Sequence, residues 1–275
     1  FVAIPDPRGV PQASVNNWGP GFLPAAFQGT DFNAAQPIRN LARPASISPA
    51  ADAATRRFLD SLNRKHLDRF PGDSQLAARI ASYRLAARMQ TSAREALDIS
   101  KETRATQELY GIHVPATSDY GTRCLIARRL VERGVRFVQL FLNGQPWDNH
   151  NNIKSALPAA CRRTDKPAAA LVKDLKRSGL LDSTIVHWGG EIGRLPVTEG
   201  DPNTGGRDHN GQGFTNWLAG GGIKGGMTYG ETDEIGHRAV VDKVPPNDFQ
   251  ATLLRLFGLD HEHLAVNHRG LDVRL

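Results

Sequence analysis

Three short polar runs in the second half of the chain combine carboxylate, imidazole and glycine. They are Trp147–His150, Gly189–Arg194 and Gly206–Asn210. Carboxylates and imidazoles are the ligands that zinc and similar divalent metals prefer in proteins. Glycine allows the backbone to turn sharply and to expose such ligands at the end of a strand. The three runs therefore predict a metal-dependent hydrolase site.

The candidate metal ligands are the acids and histidines of these runs. They are Asp148, His150, Glu191, Asp208 and His209. In the last run, Asp208 would be either a second ligand or the partner that orients His209. A plainer alternative is that Asp148 and His150 simply belong to an asparagine-rich turn, and that Asp208 stabilises its own loop as an Asx turn.

Two residues of the middle run are candidates for a catalytic role. Glu191 follows two glycines and could act as a general acid or base. Arg194 could hold an anionic substrate oxygen, because the planar guanidinium matches the geometry of phosphate and sulfate. The alternative is that Glu191 and Arg194 only form a salt bridge with each other.

The elements that must position these residues alternate between helix and strand. Apolar runs predict strands at 135–142 and 183–188, with a helix from Ile153 to Ser178 between them. This alternation predicts parallel pairing of the two strands in one sheet, with helices on both faces.

Active sites gather at the carboxyl ends of the strands in parallel sheets. Asp148 and His150 follow the first predicted strand, and Glu191 follows the second. We therefore expect Asp148, His150 and His209 to converge on a common point, with Glu191 on the same rim.

Further upstream, the pattern predicts helices. Ser48 and Pro49 are suited to the start of one helix, and Pro71 and Gly72 end it. A second helix, capped by Asp73 or Ser74, would continue to about Ile99. Its apolar stripe comprises Leu76, Ile80, Tyr83, Leu85 and Met89.

The chain is predicted to form a single domain, residues 1–275. Within it, 1–48 form an extended loop region, 49–112 a helical hairpin or cap, and 113–275 an α/β core that carries the polar runs. Val2 to Ile4 is typical of the end of a strand.

Composition limits the class of protein. The chain has 275 residues, of which 40% are hydrophobic and 23% charged, typical of a globular rather than a disordered protein. No apolar run approaches the length of a membrane helix. The formal net charge of +6 favours anionic partners, but no recognised nucleic-acid-binding module accompanies it.

Cys124 and Cys161 are too few for a disulfide framework, which leaves one bridge or buried thiols as alternatives.

Several segments together resemble a large bacterial family of uncharacterised, sulfatase-like proteins in the alkaline phosphatase superfamily. The family is abundant in planctomycetes, and its members usually carry a twin-arginine export signal. The resemblance rests on Gly121–Val138, Trp147–His150, Gly190–Arg194, Gly206–Asn210 and Trp217–Gly226. It implies an alkaline-phosphatase-like fold with a mainly parallel sheet, and a periplasmic or secreted location.

The resemblance also implies an activity. The protein would hydrolyse phosphate or sulfate esters with a divalent metal, which would be zinc, manganese or calcium. Its substrate would be an anionic small-molecule or polysaccharide ester.

Residue by residue, Asp148 and His150 resemble ligands of one metal, and His209 resembles the late histidine that returns to it. Glu191 takes the place of the aspartate in the superfamily's strand-end Asp-His-Gly motif. Ile192 stands where many relatives have histidine. The resemblance therefore implies that a second metal site is weakened or absent.

The family's opening strand and nucleophile segment are expected upstream of Phe1, so the chain resembles the C-terminal portion of such a protein. On that basis we expect at most one well-held metal and no robust esterase activity from this chain alone. Two other function classes stay open. One is a non-catalytic binding or scaffold protein that retains the fold, and the other is a basic protein that binds polyanions.

Overall fold

The protein is a mixed α/β protein in which short strands form several small sheets. The computed structural model describes residues 1–21, 23, 27–32, 44–73, 76–81, 83–84, 96–268 and 270–274. The chain divides into two compact units. The first comprises Phe1–Gln107 and Thr122–Gly144, and the second comprises Glu108–Gly121 and Gln145–Leu275.

The first unit contains a three-stranded parallel sheet. Its strands are β1 (Val2–Ile4), β2 (Thr30–Asp31) and β3 (Val138–Leu140), in the order β2-β1-β3. The predicted strand at Val2 to Ile4 is thus confirmed, and it is the central strand. It is buried on both faces, as strands of parallel sheets are.

Helices precede β3 along the chain. Helix α1 (Pro49–Arg69) begins where the sequence predicts, because the Ser48 hydroxyl accepts a hydrogen bond from the backbone N–H of Ala51 at 3.1 Å. Helical residues follow at 76–81 and 83–84, and helix α2 spans Arg104–Leu109. Ser74, Leu85 and Met89 of the predicted second helix lie outside the described residues.

Helix α3 (Ser118–Glu132) supplies the apolar face that covers the parallel sheet. Ile126 and Leu130 pack in one core cluster with Val2, Ile4 and Phe32. The helix ends just before Gly134, which adopts a left-handed φ of 86°.

The second unit contains the long helix α4 (Ile153–Arg177), which ends as predicted at the Ser178–Gly179 turn. The remaining elements are β4 (Ile185–Trp188), β5 (Gly193–Arg194), β6 (His209–Asn210), β7 (Trp217–Gly220), β8 (Glu231–Thr232), β9 (Ala239–Val241), α5 (Pro246–Leu256), β10 (Val266–His268) and β11 (Leu271–Val273). Four antiparallel pairs connect these strands: β4-β7, β5-β6, β8-β9 and β10-β11. Short 3-10 helices span Ser14–Trp18, Ile99–Lys101 and Leu181–Ser183.

The prediction that 135–142 and 183–188 share one parallel sheet is wrong. Strand β3 pairs with β1, whereas β4 pairs antiparallel with β7 in a separate sheet. An apolar run marks a strand but specifies neither the direction nor the identity of its partner. Here the parallel partner of β3 comes from the first residues of the chain.

None of the helices in the described part of the chain is long and apolar enough to span a membrane.

Candidate metal centre

Three of the predicted ligands meet in the second unit. Asp148 Oδ1 lies 3.1 Å from His150 Nε2 and 3.0 Å from His209 Nε2. The potential ligand atoms of all three residues lie within 4.8 Å of one another. The predicted convergence of Asp148, His150 and His209 is confirmed.

The loop that carries Asp148 and His150 is held against the segment around Gly206 by backbone contacts. The Arg207 N–H donates to the Asn149 carbonyl at 2.8 Å, and the Asn152 N–H donates to the Thr204 carbonyl at 2.6 Å. A Cβ atom at Gly206 would lie 1.9 Å from the Asn149 carbonyl oxygen. Only glycine therefore permits this approach, which places His150 beside the third polar run.

His209 is positioned by the antiparallel pair β5-β6. Arg194 lies opposite His209 in this pair, and the Leu195 N–H donates to the Asp208 carbonyl at 2.7 Å. Residues directly opposite on antiparallel strands present their side chains on the same face. This pairing explains why Arg194 and His209 both reach Asp148.

The reason given for the convergence, unlike the convergence itself, is wrong. The two strands that were expected to share one parallel sheet, β3 and β4, belong to different sheets. Asp148 and His150 lie in a loop well beyond β3, and His209 opens an antiparallel strand. Backbone pairing between loops, including the bridge between Asn151 and Gly205, performs the positioning instead.

Glu199 belongs to the site, although it was not among the predicted residues. Its Oε2 lies 2.8 Å from His150 Nδ1, and Asp208 Oδ1 lies 3.9 Å from the same nitrogen. His150, Glu199 and Asp208 form a second group with metal-ligand types. Glu199 is held there because its backbone pairs with Gly206, a contact that no local sequence signal indicates.

The Nε2 atom of His150 therefore faces Asp148, whereas its Nδ1 atom faces Glu199 and Asp208. The hydrogen bond to Glu199 is the main cause that raises the pKa of His150 above its ordinary value, and the charges of Asp148, Glu199 and Asp208 act in the same direction. Desolvation of the ring, the second-largest cause, lowers the pKa but does not outweigh them.

Asp148 stays ionised in this cluster. Burial raises the pKa of its carboxyl group, but the hydrogen bond from His209 and the positive charge of Arg194 outweigh burial and lower the pKa overall. Arg194 Nη2 lies 3.3 Å from Asp148 Oδ1, and the Asp148 side chain is only 13% exposed. A partly buried carboxylate is thereby kept available as a ligand.

Glu191 and Asp208 have other contacts. Glu191 Oε1 lies 3.3 Å from Arg194 Nη2, so the alternative salt bridge is present, and the Glu191 side chain is 75% exposed. Among the described residues, Glu191 is in neither of the two potential ligand groups. Asp208 Oδ1 also accepts a hydrogen bond from the adjacent His209 N–H at 2.7 Å. An Asx turn would instead join it to the N–H two residues on, so this bond does not bear out the Asx alternative.

The donor set of Asp148, His150 and His209 fits a divalent metal. Three protein ligands and one open position are typical of catalytic zinc sites. Donors bound tetrahedrally at about 2.0–2.1 Å lie roughly 3.3 Å apart, and the two measured donor separations of 3.0 and 3.1 Å are close to that. The three side chains therefore need to move little for bonds to a metal to replace the direct contacts between them.

No disulfide joins Cys124 and Cys161, and Cys124 is buried.

Comparison with known proteins identifies one family. The family described as "Protein of unknown function (DUF1501)" matches residues 1–275. No curated protein and no solved structure matches the chain. The match covers the whole chain, and the protein therefore belongs to the DUF1501 family.

Proposed function

We propose that the protein is a metal-dependent hydrolase of phosphate or sulfate esters, with one divalent metal held by Asp148, His150 and His209. The convergence of these three donors from two separate segments carries the proposal. The motif resemblance to sulfatase-like proteins supports the same reaction class. An alkaline-phosphatase-like fold is part of the proposal, and the parallel sheet β2-β1-β3 is compatible with it.

A divalent metal at this position would polarise an ester oxygen and lower the pKa of a bound water. Arg194 would bind an anionic oxygen of the ester beside it. Its Nη2 contacts Asp148 and the exposed Glu191. An exposed ion pair contributes little, so an anionic substrate can take the place of Glu191 on Arg194.

Three acids would support the reaction from outside the donor set. Glu199 accepts the Nδ1 proton of His150, which leaves Nε2 as the ligand atom and fixes the orientation of the ring. Glu191, once displaced from Arg194, is the proposed general acid or base. Asp208 lies on the Nδ1 side of His150 and adds to its orientation.

The donor types narrow the choice of metal. Calcium takes oxygen ligands, whereas imidazole suits zinc and other transition metals. Two imidazoles and one carboxylate therefore favour zinc or manganese over calcium. An anionic small-molecule or polysaccharide ester as substrate, and a periplasmic or secreted location, are proposed from the resemblance alone.

The test compares metal-loaded and chelated protein. We expect inorganic phosphate or sulfate to bind the zinc- or manganese-loaded protein and to bind the chelated protein much more weakly, as measured by calorimetry. An aryl phosphate or aryl sulfate assay then detects any turnover that requires the metal and is lost in His209→Ala. Equal anion binding with and without metal, together with no metal-dependent turnover, would contradict the proposal and favour a non-catalytic binding protein.

A further inference from the structure

A cavity of about 410 Å³ opens in the second unit, and three of the four tryptophans of the chain line it. These are Trp147, Trp188 and Trp217. The facing wall is one side of helix α4, where Leu157, Cys161, Thr164, Asp165 and Val172 recur at helical spacing. This volume lies in the range of small-molecule sites, which are mostly apolar with few polar groups.

The indole rings form two walls at right angles. Trp188 and Trp217 are directly paired across β4 and β7, so their rings lie side by side, with centroids 6.5 Å apart and an interplanar angle of 11°. Trp147 stands across them, 5.7 Å from Trp188 and at 83° to it. Trp188 is 38% exposed and Trp217 36% exposed. Solvent-facing indoles clustered in this way are typical of a binding surface.

One carboxylate completes the cavity wall. Within the described residues, Asp165 makes no ion pair or hydrogen bond, and it is exposed to solvent. An uncompensated negative charge beside electron-rich indole faces favours a cation. Indole is also the aromatic ring that attracts cations most strongly.

Three kinds of ligand group can be compared for this cavity. A sugar ring needs several hydrogen bonds, but the Thr164 hydroxyl already donates to the Ala160 carbonyl at 3.1 Å, and Asp165 is the one charged group among the described residues of the wall. A purely apolar group leaves the Asp165 charge uncompensated. A quaternary ammonium group needs no hydrogen bonds, presents methyl groups to the indoles and neutralises the carboxylate.

We infer that the Trp147–Trp188–Trp217 cavity binds a quaternary ammonium group, with Asp165 as its counter-charge. This site is distinct from the metal donors and does not depend on the proposed hydrolase activity. The binding is therefore measured on the intact chain after chelation of metals.

The experiment titrates choline and tetramethylammonium into the chelated protein, with calorimetry and tryptophan fluorescence as readouts. The matched neutral probe is 3,3-dimethylbutanol, in which a carbon replaces the charged nitrogen of choline. We expect saturable binding of both cations and at least about ten-fold weaker binding of the neutral probe. Equal affinity for choline and the neutral probe, or no saturable binding of either cation, overturns the inference.

Variants locate the binding. Trp217→Ala should abolish it, Trp217→Phe should retain part of it, and Asp165→Asn should weaken it several-fold. Tyr229→Ala and Asp182→Asn, which remove an exposed aromatic ring and an exposed carboxylate outside the cavity wall, should leave it unchanged. A choline affinity that is unchanged in both Trp217→Ala and Asp165→Asn would show that the ligand lies elsewhere. Circular dichroism confirms that each variant is folded.

Discussion

Two aspartates, one in each unit, are surrounded by cations in very different ways. Asp6 in the first unit has a fully buried side chain, which contacts Arg8 at 2.6 Å, Arg123 at 3.3 Å and the backbone N–H of Asn143 at 3.2 Å. Asp148 in the second unit contacts Arg194 and two imidazoles.

The two clusters differ in whether the groups around the aspartate can be exchanged for others. Guanidinium groups remain charged at any pH that a protein meets, and backbone amides cannot move away. The Asp6 cluster is therefore saturated and acts in stability. The imidazoles around Asp148 can lose a proton and bind a metal, so the Asp148 cluster can change partners.

The largest expected effect is on the buried cluster. Asp6→Asn removes the carboxylate that lies 3.3 Å from the buried Arg123, and should lower the free energy of unfolding by about 3 kcal/mol. The matched variant Asp148→Asn should lower it by less than about 1 kcal/mol, because that cluster is more accessible to water. Urea denaturation followed by circular dichroism measures both. Equal losses would remove the distinction between the two clusters.

Lowering the pH should show the contribution of the Asp6 cluster to the free energy of unfolding of the unmodified protein. Burial raises the pKa of Asp6, but the Arg8 hydrogen bonds, the Arg123 charge and the Asn143 amide lower it overall to about 2 from the ordinary value of 3.8. Because the unfolded chain takes up this proton at higher pH than the folded chain, the contribution is complete above about pH 4 and lost as the pH falls toward 2.

The amount lost corresponds to about 2 kcal/mol. Unfolding free energies measured between pH 5 and pH 2 should show this decline in the unmodified chain and a smaller decline in Asp6→Asn. Identical pH profiles for the two proteins would contradict the role given to Asp6.

A smaller effect is expected from the acid that orients His150. Glu199→Gln should weaken zinc binding about ten-fold, because the amide is a poorer acceptor for the His150 Nδ1 proton. Glu234→Gln, which changes a glutamate outside both ligand groups, is the control and should bind zinc unchanged. An unaltered zinc affinity in Glu199→Gln would show that the contact with His150 is incidental.

The smallest expected effects are two changes in affinity of opposite sign, one for zinc and one for phosphate. Arg194→Gln removes a positive charge 3.3 Å from a ligand oxygen of Asp148, so zinc should bind about five-fold more tightly. The same variant should bind inorganic phosphate more weakly once zinc is present. If both affinities fall, Arg194 acts by holding Asp148 in place rather than by binding an anion.

Elements with strong local signals were predictable from the sequence. The Ser48 cap and Pro49 mark the start of α1, and Gly179 marks the end of α4, because capping and left-handed φ depend on the residues themselves. Strand pairing was not predictable in this way. The partner of β3 lies at residues 2–4, and a three-residue strand carries no periodicity.

The candidate site shows the same contrast. Asp148, His150 and His209 were identifiable because acids and histidines cluster in short runs. Glu199 was not, since it reaches His150 only through the pairing of its backbone with Gly206. The tryptophan cavity likewise depends on the register that sets Trp188 opposite Trp217, a long-range property.

The most direct test of the metal site is calorimetric titration of zinc and of manganese into metal-free protein, His150→Ala and His209→Ala. We expect one site in the unmodified chain and at least about a hundred-fold loss of affinity in each variant, with little change in unfolding free energy. Binding that survives unchanged in both variants would show that the cluster of Asp148, His150 and His209 is not a metal centre.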